Sequence, residues 1–149
     1  MMFASTVKPV PSKFTNLAEK DPNIIHVHNL KNYPKAKAML ARITVYSRDE
    51  KHGDRYTRKG IAATGKRLVN KKSCAVDPSL IPYGSKVVIP QLHMVLDAVD
   101  TGSAVKNKTA SKKTGRHEPV VDVFFDKNNE SNKFVEANPK IVEIYVIKN

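Results

Sequence analysis

Three aspartates carry the chemistry this sequence offers: Asp77 in CAVDPSLIPYG, Asp100 in DAVDTG and Asp122 in PVVDVFF. Asp122 is the most demanding of them. Val120, Val121, Val123, Phe124 and Phe125 around it are strand formers. Side chains alternate along a strand, so Asp122 shares a face with Val120 and Phe124. An ionised carboxylate on an apolar face is costly unless it is paired or hydrogen-bonded. Burial raises a carboxyl pKa, and a nearby second carboxylate raises it further, which keeps a general acid protonated near neutral pH. Carboxyl groups of this kind cleave glycosidic bonds. Asp77 and Asp100 each end an apolar run just before a turn. There an aspartate can serve the same chemistry or simply cap backbone N–H groups.

Other chemistries find less support. Cys74 is the single cysteine, lacks the sequence surroundings of an activated thiolate and forms no intrachain disulfide. There is no G-x-S-x-G elbow. The acids do not have calcium-loop spacing. His26 and His28 form an H-x-H pair, but no cysteine or carboxylate cluster accompanies it, so it reads as solvated. We therefore expect neither a metal nor a cofactor.

The elements that must position the aspartates are mostly strands. Candidate strands are 41–47 (ARITVYS), 60–64 (GIAAT), 73–77 (SCAVD), 85–90 (SKVVIP), 93–100 (HMVLDAVD), 120–125 (VVDVFF) and 140–148 (KIVEIYVIK). Lys51-His52-Gly53-Asp54, Pro82-Tyr83-Gly84 and Thr101-Gly102 supply the turns. One helix is expected near 130–137, stopped by Asn138-Pro139. Several strands are apolar almost throughout, which suits a small closed barrel better than a sheet with a wet face. Residues 1–40, broken by Pro9, Pro11, Pro22 and Pro34, read as an arm or linker with a short helix around 34–40.

The chain has 149 residues, enough for one domain with a sizeable core, and a formal charge of +12. That charge favours a polyanionic partner. The aromatics lie mostly in apolar runs and tryptophan is absent, which argues against nucleic acid as that partner. No apolar run approaches the roughly 20 residues of a membrane helix. The opening MMFASTVKPVPSKF shows no apolar core of a secretory signal.

Taken in order, TVYS, AATGKRL, CAVDPSLIPYGSKVVI, LDAVDTGSAVK and VVDVFF resemble the 3D domain, a family named for three aspartates that match Asp77, Asp100 and Asp122. The closing EANPKIVEIYVIK is similar to the family's final helix and strand. The resemblance covers residues 41–148. It implies a mainly β fold: a six-stranded double-psi β-barrel over 41–149, with one or two short helices, preceded by an extended arm over 1–40. It also implies kinship with membrane-bound lytic transglycosylase A and the stationary-phase muralytic proteins. Those enzymes cleave the MurNAc–GlcNAc bond of peptidoglycan without water and leave a 1,6-anhydro-MurNAc end.

Carried over by motif, the resemblance makes Asp122 the acid/base, supported by Asp100 and Asp77. It makes Thr44, Tyr46, Thr64, Gly65, Thr101, Gly102 and Lys106 groove residues for substrate. The implied partner is the peptidoglycan glycan strand, met by a monomer at the cell envelope or outside the cell, or delivered by a phage. A glycoside hydrolase on the same barrel and a non-catalytic, expansin-like wall-binding module are the alternatives. Two features depart from the family's pattern. Ser103 replaces a usual glycine, and Asp122 lies 22 positions after Asp100, a longer link than the family uses. The extra residues, 107–119, carry Lys108, Lys112, Lys113 and Arg116. We expect a mobile basic loop there, acting as a clamp on an anionic polymer.

Overall fold

Six strands close into a barrel in a computed structural model that describes residues 36–50 and 54–148. They are β1 (Ala36–Ser47), β2 (Ser73–Ala75), β3 (Lys86–Ile89), β4 (Met94–Asp100), β5 (Val120–Phe125) and β6 (Ile141–Ile147). The order around the ring is β1-β5-β2-β4-β3-β6, with β6 closing back onto β1. The pairs β1/β5 and β2/β4 are parallel, and the other four are antiparallel. Among the described residues three short α-helices decorate the ring: α1 (Arg55–Arg58), α2 (Thr109–Lys112) and α3 (Asn128–Ala137). None of the described helices is long and apolar enough to cross a membrane. The arm before residue 36, with His26 and His28, and the turn residues 51–53 lie outside the described residues.

Alternation decides what fills the barrel. Ala41, Ile43, Val121, Val123 and Phe125 point inward with Cys74, Val87, Ile89, Leu96, Ala98, Val142, Ile144 and Val146. The other parity of β1 and β5 therefore faces outward: Arg42, Thr44 and Tyr46 beside Val120, Asp122 and Phe124. That outer face is not left bare. Ala62 and Leu68 cover Phe124, and Val105 with Ala110 covers Val120. Both strands thus bury apolar residues on two faces, which explains their nearly continuous apolar sequence.

Two expected elements differ. Residues 36–40 are not helical: they form the first part of β1, paired with β6 from Ala36↔Ile147 to Leu40↔Glu143. Long-range pairing overrides the weak local signal left by Pro34. Residues 60–64 are not a strand. Gly60 and Gly65 take φ of +73° and +84°, and between them the chain folds on itself through Ala62 N–H to Lys66 O. One isolated bridge, Ile61↔Arg67, is all that remains of the strand pairing. Gly60 is also a close approach, because a Cβ there would lie 2.6 Å from the guanidinium of Arg48. The helix expected near 130–137 is α3, which starts earlier, at Asn128, with its first N–H bonded to Asp49 Oδ1. It ends as expected at Asn138 and docks Phe134 on Phe125, ring centroids 5.3 Å apart.

Candidate active site

The outer face of β1 and β5 has covered ends and an open middle. Thr44 and Asp122 are cross-strand partners there, between Arg42/Val120 and Tyr46/Phe124. Thr44 Oγ1 donates to Asp122 Oδ1 at 2.8 Å. Oδ2 has no hydrogen-bond partner among the described residues. Asp122 is only half-buried, so this oxygen can meet a ligand. Burial pushes the Asp122 carboxyl up to about 7, the Thr44 bond pulls against this, and the charges of Glu50 and Asp100 push further. A protonated carboxyl with one oxygen held and the other free is equipped to donate a proton and later take one back.

Asp100 reaches the same face through a bulge. Strict alternation would send it inward after Leu96 and Ala98. The register of β2 on β4 slips between Cys74↔Ala98 and Ala75↔Asp100, which turns Asp100 outward. Ala75 also pairs with Asp122, so Thr44, Asp122, Ala75 and Asp100 form one row across four strands. Both Asp100 oxygens are occupied. Tyr46 O–H donates to Oδ2 at 2.8 Å, and Ala63 N–H donates to Oδ1 at 2.7 Å. Burial and the Asp100 charge hold the Tyr46 hydroxyl well above the usual phenol range, so it remains a donor. Asp100 therefore ties the 60–68 loop and Tyr46 to the barrel. Thr64 adds a second tie, Oγ1 to Val99 O at 2.7 Å.

Asp77 does a different job. It accepts from Ser79 Oγ and N–H at 2.7 and 3.0 Å and, through Oδ2, from Asn107 N–H at 2.9 Å. The Ser79 and Asn107 bonds hold its carboxyl below the usual range. Asn107 and Lys108 both sit in the left-handed region, with φ of +56° and +57°, which asparagine tolerates but which costs roughly 1–2 kcal/mol at Lys108. Asp77 is the anchor that opposes this strain. Asp77→Ala is expected to cost about 2 kcal/mol by leaving these donors unpaired, and to loosen the 102–108 wall. Because its folded pKa is depressed, its contribution is complete above the ordinary Asp value and fades as pH falls below it. Thermal melts of variant and wild type should therefore differ at pH 7 and converge in acid.

The remaining expected residues divide between the two walls. Gly65 and Gly102 each face open space at the position a Cβ would take. Thr101 Oγ1 is buried without a hydrogen-bond partner among the described residues. Lys106 is exposed, and its charge acts on Asp77, not on Asp122. The 107–119 segment is not the mobile loop its composition suggests. Ser111 is fully buried and donates to Glu118 O at 2.7 Å, and Ala110 packs over Ala75, Val105 and Val120. Arg116 pairs with Glu118 at 2.6 Å, while Lys112 and Lys113 stay exposed. Sequence reasoning missed Glu50, half-buried after β1, whose carboxyl burial pushes up. It also missed Arg42, which the period-two pattern of β1 could have placed beside Thr44. No group of His, Cys, Asp and Glu among the described residues is arranged to hold a metal ion.

Comparison with known proteins adds the family. No curated protein matches the chain. A structure of a variant of the E. coli lytic transglycosylase MltA in an apo form is similar with a TM-score of 0.41 and 19% identity, covering 60% of this chain and 27% of that one. Another E. coli MltA structure gives 0.40 and 19%, with the same 60% and 27% coverage. The lytic transglycosylase LtgG of Burkholderia pseudomallei gives 0.36 and 20%, again over 60% and 27%. The chain thus spans about a quarter of the length of these proteins. The 3D domain pattern matches residues 72–148, more than half of the sequence and all three aspartates, and the chain belongs to the 3D domain family.

Proposed function

We propose that the domain is a peptidoglycan lytic transglycosylase in which Asp122 is the single acid/base. The observation that carries this reading is the Asp122 carboxyl, raised to about 7, with Oδ1 held by Thr44 and Oδ2 free on an open face. Asp122 protonates the leaving O4 of GlcNAc as the bond breaks and an oxocarbenium-like MurNAc develops. The resulting carboxylate removes the proton from the C6 hydroxyl of the same sugar, which attacks C1. The proton enters at O4 and returns from O6, so no water is consumed. The C6 hydroxyl is tethered to the reacting carbon, so no enzyme nucleophile is needed. Asp100 and Asp77 act as positioning residues, one for each wall.

Mass spectrometry of soluble fragments released from purified sacculi tests the reaction. An anhydro end, one water lighter than a reducing end, is expected. Reducing ends only would support hydrolysis, the reading that Glu50 favours as a second carboxylate acting on Asp122. Absence of any soluble fragment would support a binding module.

Gly102 offers a steric test of the groove. Its surroundings are open and its φ is not in the left-handed region. Gly102→Leu is expected to melt like wild type while releasing at least about tenfold fewer fragments, equivalent to about 1.4 kcal/mol. Full activity with a leucine at this position would move the substrate path away from the 101–106 wall.

A further inference from the structure

Arg42 occupies the outer face of β1 two residues before Thr44, about 7 Å along the strand. Its Nη2 donates to Thr114 Oγ1 at 3.0 Å, and its Nε is buried with no acceptor among the described residues. A guanidinium with a buried N–H left unpaired is missing a partner. Arg42 forms no ion pair among the described residues. Glu118 lies within its field, but the Glu118 carboxylate is bonded to Arg116. The Thr114 bond holds the guanidinium against the 107–119 segment, at the Val120 end of the face that carries Thr44 and Asp122.

We propose that Arg42 is the acid-recognition residue of the groove, binding a carboxylate carried by the glycan that Asp122 cleaves. The proposal rests on the reading of the site as a peptidoglycan site and adds to it a discriminating group. A planar guanidinium suits a carboxylate because it offers paired donors in a fixed geometry. On peptidoglycan such a carboxylate has two sources: the lactyl group of a MurNAc whose peptide has been removed, or the stem peptide itself. The basic segment 107–119 then serves Arg42 locally, by holding it, as well as attracting the polymer at long range.

The full chain carrying Asp122→Asn tests this, since it can bind glycan without cutting it. Calorimetry compares three ligands: chito-oligosaccharide with no carboxylate, amidase-stripped strands with lactyl carboxylates, and strands with intact stem peptides. Adding Arg42→Gln is expected to weaken at least one acidic ligand about tenfold, or about 1.4 kcal/mol, and leave chito-oligosaccharide unchanged. The acidic ligand that responds names the source. Equal loss on all three ligands would mean that Arg42 merely pins Thr114, and would overturn the proposal. So would no loss on any, failure of the parent to bind either acidic ligand, or an equal loss on neutralising exposed Lys113. Should Arg42→Gln not fold, the Nε–H resonance of Arg42 in the parent protein serves instead. It should move with an acidic strand and not with chito-oligosaccharide; identical behaviour with both overturns the assignment. The product of the wild-type reaction is read separately, so reducing ends would revise the mechanism and leave this result standing.

Discussion

Asp122→Asn is expected to fold, to release at least about 100-fold less muropeptide from sacculi, the scale of a lost general acid, and to melt higher than wild type at pH 8. The stability gain follows from the same burial that prepares the acid. The folded Asp122 carboxyl titrates at about 7, above the ordinary Asp value. Between those two values the native state holds a proton that the unfolded chain has lost, so stability falls as pH rises across that window. Above about pH 7 the wild type carries a buried charge that asparagine does not. Asparagine can still present an Oδ1 acceptor to Thr44. The expected gain at pH 8 is on the order of 4 kcal/mol, shrinking toward zero near pH 4. Wild-type release should also decline as pH passes about 7, because only the protonated carboxyl donates. Near-wild-type release by a folded Asp122→Asn protein would end the assignment; an unchanged melting difference between pH 4 and pH 8 would remove the burial argument.

Asp100→Asn is expected to be the most destabilising of the aspartate substitutions. Two donors, Tyr46 O–H and Ala63 N–H, converge on the two carboxylate oxygens. An asparagine can keep Ala63 N–H only by turning its N–H₂ toward Tyr46, whose hydroxyl must then accept instead of donate, and both contacts lose the charge of the acceptor. Hydrogen bonds to a charged acceptor contribute about 1.5–3 kcal/mol each, which sets the expected loss at about 3 kcal/mol. Tyr46→Phe removes only one of the donors and should cost less. Activity should drop as well, because the 60–68 wall has one of its ties to β4 weakened and is left to the Thr64–Val99 bonds. The pH dependence of what activity remains should shift down only slightly. Burial leads the rise of the Asp122 pKa, and the Asp100 charge comes after that of Glu50. A wild-type melting temperature with a large downward shift of the basic limb would reverse this ranking and make Asp100 an electrostatic partner.

Much of the barrel was legible because its strands announce themselves. The run 120–125 is a strand throughout, since branched and aromatic residues on both faces leave little choice. Asp122 stood out for the same reason, as the one polar member of such a run. Other features depend on distant partners and have no local signature. Nothing in AKAML says that β6 will pair with it. The apolar look of GIAAT hides two positive-φ glycines that bend it into a wall. The outward turn of Asp100 comes from a one-residue register slip between β2 and β4. Composition also misled at 107–119, where lysines suggested solvent and a buried serine hydroxyl instead organises the turn.

The pairing of Ala36 with Ile147 places the start of the first strand beside the end of the last. Adjacent ends make the unit a cassette. It can be spliced into a surface loop of a host protein with short connectors, and it can be circularly permuted by bridging those ends and opening a turn elsewhere. The same closure has a kinetic side. The ring cannot seal until its final strand has left the ribosome, so a chain cut short before residue 141 presents two raw strand edges to whatever is nearby.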